Sequence, residues 1–107
     1  MGCGNPYAGE VALVIDGERR VLKLTLGALA ELEDAMAADS LVSLVERFET
    51  GAFTARDVAR LLLAGLHAGG WRAGPDALLA AEIEGGPAEA TRVAAALLRR
   101  AFALPTT

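Results

Sequence analysis

The residues from which catalytic and metal centres are most often built are nearly absent. In 107 residues there is one histidine, His67, and one cysteine, Cys3. A single thiol closes no disulfide within the chain, and zinc, which takes several nitrogen or sulfur ligands, finds one imidazole and one distant thiol. No metal and no cofactor is expected, and a reducing compartment suits the composition. Nucleophilic catalysis needs a hydroxyl or thiol activated by a base that a third group holds. His67 falls near the end of an expected helix, where a cation suits the dipole and the ring can bond the last carbonyls, so it is read as structural. The glycines form neither Gly-x-x-x-x-Gly-Lys-Ser/Thr nor Gly-x-Gly-x-x-Gly. The chain is expected not to be an enzyme.

Positive charge is also in short supply. Ten lysines and arginines face fourteen acids, for a net charge of -4 and a pI near 4.9. A phosphate-binding surface needs clustered cations, whereas here only Arg19 with Arg20 and Arg99 with Arg100 are paired, so nucleic acid is not an expected partner. No apolar run approaches the roughly 18 residues that cross a bilayer, and the expectation is a cytoplasmic chain with no membrane partner. Met1-Gly2-Cys3 invites a lipidation reading, but a lipoprotein needs a preceding apolar stretch and the myristoylation pattern wants Ser or Thr where Pro6 stands, so Cys3 is expected to be a residue of a frayed end. Aromatics make up 5% of the chain although 53% of it is hydrophobic, so the core must come from leucine and valine. A thin core in a domain of this size leaves much surface exposed, which points toward a protein partner.

What is present is a change of period along the chain. From Glu10 to Ile15 and from Arg20 to Leu26 the residues suit strands, and Asp16-Gly17-Glu18-Arg19 between them supplies a hairpin turn. Leu22, Leu24 and Leu26 are expected on one face of the second strand, with Lys23 and Thr25 on the other. After Gly27 the spacing becomes helical, with Leu29, Leu32 and Met36 on one side of a helix that ends near Ala38. Asp39 and Ser40 are ready N-caps for a second helix with Leu41, Leu44, Val45 and Phe48 at i, i+3, i+4 and i+7, stopped by Gly51. Thr54 followed by Asp57 predicts a capping box for the third helix, whose buried stripe is Val58, Leu61, Leu62 and Leu66. Pro75 opens a short fourth helix reaching about Ile83, and Pro87 a fifth with Val93, Ala94, Leu97, Ala101 and Phe102 inward, leaving at Pro105.

The expected architecture is α+β and mainly helical, an N-terminal β-hairpin packed on four to five short α-helices. Residues 9–104 form one domain after a flexible N-terminus at 1–8. The core should include Leu22, Leu24, Leu32, Leu44, Phe48, Leu61, Leu62 and Leu97.

Paired carboxylates can act as acid and base without histidine, which brings Glu31, Glu33, Asp34, Glu46 and Glu49 into view. They fall on polar helix faces with nothing to raise their pKa values, so they are read as solvated. Trp71 has two readings. In its glycine-flanked loop it either folds back onto the thin core or anchors a contact beside Arg72, since tryptophan and arginine are enriched at binding hot spots. Tyr7 carries the same ambiguity. Trp71, Arg72 and Phe53 are the candidate protein-binding residues.

Several ordered motifs resemble a known family. Gly9-Glu10-Val11-Ala12-Leu13 leading to Asp16-Gly17, Leu24 to Glu33, Arg47 to Val58 and Leu61 to Gly70 are similar, in their order, to the phage-type tail-assembly chaperones encoded in gene transfer agent clusters, sometimes labelled tail-tube proteins. The resemblance spans roughly Gly9 to Phe102 and brings no catalytic residues. It implies a chaperone that binds the tape-measure protein and helps tail-tube subunits assemble around it. A structural tail component or a protein-binding regulator outside the tail module are the other readings. The chain is short for a tube subunit, which generally needs an extensive sheet. A homo-oligomer is possible through the strand edges of a lone hairpin.

Overall fold

The structure, a computed structural model, describes residues 11–36 and 40–102, the last of these by its backbone alone. The expectations placed on residues 1–10, on Ala38 and Asp39, and on Pro105 lie outside the described residues. Strands β1 (Val11–Ile15) and β2 (Glu18–Leu22) pair antiparallel, with Ile15 opposite Glu18 and Val11 opposite Leu22. The loop between them is the two residues Asp16 and Gly17, at φ 52° and 82°. Positive φ at both central positions marks the type I′ turn, whose twist matches that of the strands it joins. The turn is therefore tighter than the four-residue connection the sequence suggested.

The second strand ends sooner than expected. Leu22 is fully buried, Leu24 is half-buried, and Leu26 is 84% exposed. The reason is Thr25, whose hydroxyl accepts the Ala28 amide at 3.1 Å and whose carbonyl accepts the Leu29 amide at 2.9 Å. These are the bonds of an N-cap, so the residue expected to alternate in a strand instead starts helix α1 (Leu26–Met36). Helix α1 turns Ala28, Leu32 and Met36 inward.

Helices α2 (Leu41–Thr50) and α3 (Ala55–Ala68) carry the predicted caps. The Ser40 side chain accepts the Ser43 amide, and Gly51 closes α2 in the left-handed region. Thr54 and Asp57 exchange both bonds of the capping box. Helix α4 (Pro75–Ala80) stops short of the predicted Ile83, because residues 82–84 turn extended and join the open edge of β1. The Asp16 amide donates to the Glu82 carbonyl at 2.8 Å and the Glu84 amide to the Val14 carbonyl at 3.0 Å. Helix α5 (Gly86–Phe102) follows.

Helix α3 is the hub, packing against α1, α4, α5 and β2, while α5 lies against β1. Leu22, Leu32, Leu44, Leu61, Leu62 and Leu97 from the expected core are buried at 2% exposure or less; Phe48, like Leu24, is half-buried at the border. Each fully buried leucine contributes roughly 1.5–3 kcal/mol relative to exposure. Close packing under α3 depends on Gly69: a Cβ there would stand 1.9 Å from the Val21 carbonyl oxygen. The fold is thus α+β and mainly helical, with its small sheet closed on one edge by residues 82–84 and crowded at Val21 by the end of α3.

Candidate protein-binding site

Two titratable groups, His67 and Asp57, are held in hydrogen bonds that join elements of the fold. The ring of His67 bonds Glu31 Oε2 through Nδ1 at 2.7 Å and the Ala73 carbonyl through Nε2 at 2.8 Å, tying α3 to α1 and to the loop that follows α3. Both acceptors are oxygens, so both ring nitrogens donate only when the ring is protonated. The Ala73 carbonyl is the main cause that raises the pKa of His67; burial opposes it, Glu31 adds to it, and Arg72 opposes. The ring reaches out to a loop and a neighbouring helix, not back to the carbonyls of its own helix as expected. Of the carboxylates considered for acid and base work, Glu33, Asp34, Glu46 and Glu49 are exposed.

Asp57 is the one buried charged side chain among the described residues, at 3% exposure. Arg47 grips it with two bonds, Nε to Oδ2 at 2.9 Å and Nη2 to Oδ1 at 3.0 Å, and the Thr54 amide adds a third at 2.9 Å. Burial, the largest single influence, pushes the Asp57 pKa up, but Arg47 and Thr54 together outweigh it and hold the carboxyl below its ordinary value. Beside this pair Phe48 stacks on Phe53, with ring centroids 4.7 Å apart and planes 13° from parallel. Asp57 and Phe53 thereby lock α2 to the start of α3.

The three candidate binding residues do not form one site. Phe53 precedes the N-terminus of α3, while Trp71 and Arg72 follow its C-terminus, a helix of 14 residues and about 21 Å away. Trp71 and Phe53 are half-buried and packed on the core; Arg72 is exposed.

A different surface has the shape of a binding site. Two apolar depressions of about 490 and 480 Å³ flank α4 and share Ala55, Ala59, Leu78 and Leu79, making one continuous trough between α3 and α4. Ala55, Ala59 and Leu63 recur every four residues along α3 and form one wall. Leu79 stands in the trough 71% exposed. Arg56 and Arg60 line the α1 side, and the opposite arm runs past Ile83 toward Ala90. Sequence reasoning missed this surface. The only signals were the i, i+4 pair of arginines and a second leucine beside Leu78 in a helix of six residues.

A family model described as phage tail tube protein, GTA-gp10, matches residues 8–104. The chain belongs to this family. Its hairpin and all five described helices fall inside the match, in agreement with the gene transfer agent resemblance. The GTA-gp10 family makes the chain a tail tube-type protein that works with other tail proteins. No curated protein and no solved structure matches it. Among the described residues of this GTA-gp10 chain, no helix is long and apolar enough to cross a membrane.

Proposed function

We propose that this chain is a non-enzymatic tail-assembly chaperone of a phage-like gene transfer agent particle, one that binds the tape-measure protein and promotes assembly of the tail tube around it. The observation that carries the reading is the apolar trough between α3 and α4, with the exposed Leu79 inside it. A trough about two helical turns long suits the helix-in-groove mode, in which apolar residues at i, i+3, i+4 and i+7 of a partner seat between two helices. The tape-measure protein is an elongated partner able to supply such a segment. The described residues hold one two-stranded sheet, which supports an assembly factor over a subunit that closes a ring through strands.

Co-expression with the tape-measure and tube proteins, followed by purification through a tag on this chain, tests the reading. A stoichiometric complex with the tape-measure protein is expected, and no complex with either partner sinks the proposal. The family description favours a second reading, a structural tail component. Mass spectrometry of finished particles separates the two: a chaperone is absent, and a structural component is present at high copy number.

A further inference from the structure

The trough has chemistry as well as shape. Arg56 and Arg60 sit one turn apart on the same face of α3, at the border of the α1-side depression. Neither makes an ion pair among the described residues, although the chain carries fourteen acids against ten basic residues. Arg56 also lies in the first turn of α3, where the helix dipole disfavours a cation. Two arginines with no ion-pair partner among the described residues, beside an apolar floor that no described residue covers, are complementary to a segment that is apolar on one face and acidic along one border.

We infer that the trough between α3 and α4 receives an amphipathic helix whose carboxylates, spaced one turn apart, pair with Arg56 and Arg60 while its apolar face covers Ala59, Leu63 and Leu79. The inference rests on the assembly reading for the source of the partner and on the trough alone for its chemistry. The net charge of -4 does not oppose it, because exposed charges beyond about 10 Å are screened at 0.1 M salt whereas Arg56 and Arg60 act at contact. The arginines select the partner and fix its register, and the apolar floor supplies most of the affinity.

The test uses the full chain and two designed helical peptides of about 18 residues. Both carry leucine at i, i+3, i+4 and i+7; one has glutamate and the other lysine at paired i, i+4 border positions. Binding is read by fluorescence anisotropy and by backbone amide shifts. The glutamate peptide is expected to bind about tenfold or more tightly than the lysine peptide, with shifts confined to α3 and α4 and a preference that fades as salt rises. The double variant Arg56→Glu/Arg60→Glu should reverse that preference, and Leu79→Asp should weaken both peptides. Circular dichroism checks that each variant folds, which the exposure of Leu79 and the helix dipole at position 56 both favour. Equal binding of the two peptides, binding of neither, or a preference unmoved by the arginine variant overturns the inference. So does sedimentation showing a dimer that Leu79→Asp dissolves, since the trough is then covered by a second copy. The tape-measure complex gives the distinguishing arm. If that complex forms but is indifferent to Arg56→Glu/Arg60→Glu, the chemistry of the trough is wrong and the assembly reading stands. If the peptides behave as expected and the tape-measure protein does not bind, the reverse holds.

Discussion

Gly69 has an ordinary φ of -86°, so its need for glycine is one of space. The Val21 carbonyl oxygen belongs to backbone held in the hairpin, and it cannot retreat as a flexible side chain would. Gly69→Ala therefore forces α3 away from β2, and it is expected to cost about 3 kcal/mol in urea unfolding, at the upper end for overpacked sites. A neutral effect would mean that the close approach is not needed. Trp71 answers to a different argument. Its ring is half-buried on the core and its amide is bonded to the Leu66 carbonyl at 2.9 Å. Trp71→Ala should lower stability by about 2 kcal/mol, less than the loss for a fully buried aromatic. Unchanged melting together with a lost tape-measure complex would instead make Trp71 an anchor.

Helix α2 is attached by the buried Leu44 and by two contacts at the start of α3, Arg47 with Asp57 and Phe48 with Phe53. Asp57→Ala removes the acceptor for Arg47 and for the Thr54 amide together, and a loss of about 3 kcal/mol is expected from equilibrium unfolding. The same group sets an acid limit. Its folded pKa is lowered, so its contribution is complete above the ordinary aspartate value and is lost as pH falls through the lowered one. Much of the element pattern was legible. The caps at Ser40, Thr54 and Gly51, the stripe Val58, Leu61, Leu62 and Leu66, and the Asp16-Gly17 turn are all local chemistry. Thr25 was misread because a β-branched residue between leucines fits a strand as well as a helix cap, and only the amide of Ala28 decides. The end of α4 was misread because the pull on Ile83 comes from β1, more than sixty residues earlier in the chain.

For the molecule as a whole, His67 joins α1, α3 and the loop at Ala73 at one point. Its pKa is raised in the fold, so the bonds contribute fully below the ordinary histidine value and are lost as pH rises through the raised one. Chemical denaturation of the wild type and of His67→Gln should therefore show a gap that is largest below the ordinary histidine value and narrows as pH rises through the raised one. A gap independent of pH would mean that the contact does not depend on the protonated ring. The candidate site belongs to this scale too. Trp71, Arg72 and Phe53 stood out by residue type, yet α3 holds them at its two ends, whereas Arg56 and Arg60 showed only as an i, i+4 pair and Leu79 only as a second leucine until α4 came to lie beside α3. Composition, period and local capping were enough for the class of the fold, the order of its elements and the scarcity of catalytic groups. Where β2 and α4 stop, how Asp57 and His67 are bonded, and which apolar surface the described residues leave open were not legible there, because each depends on contacts between residues that only the packed fold brings together.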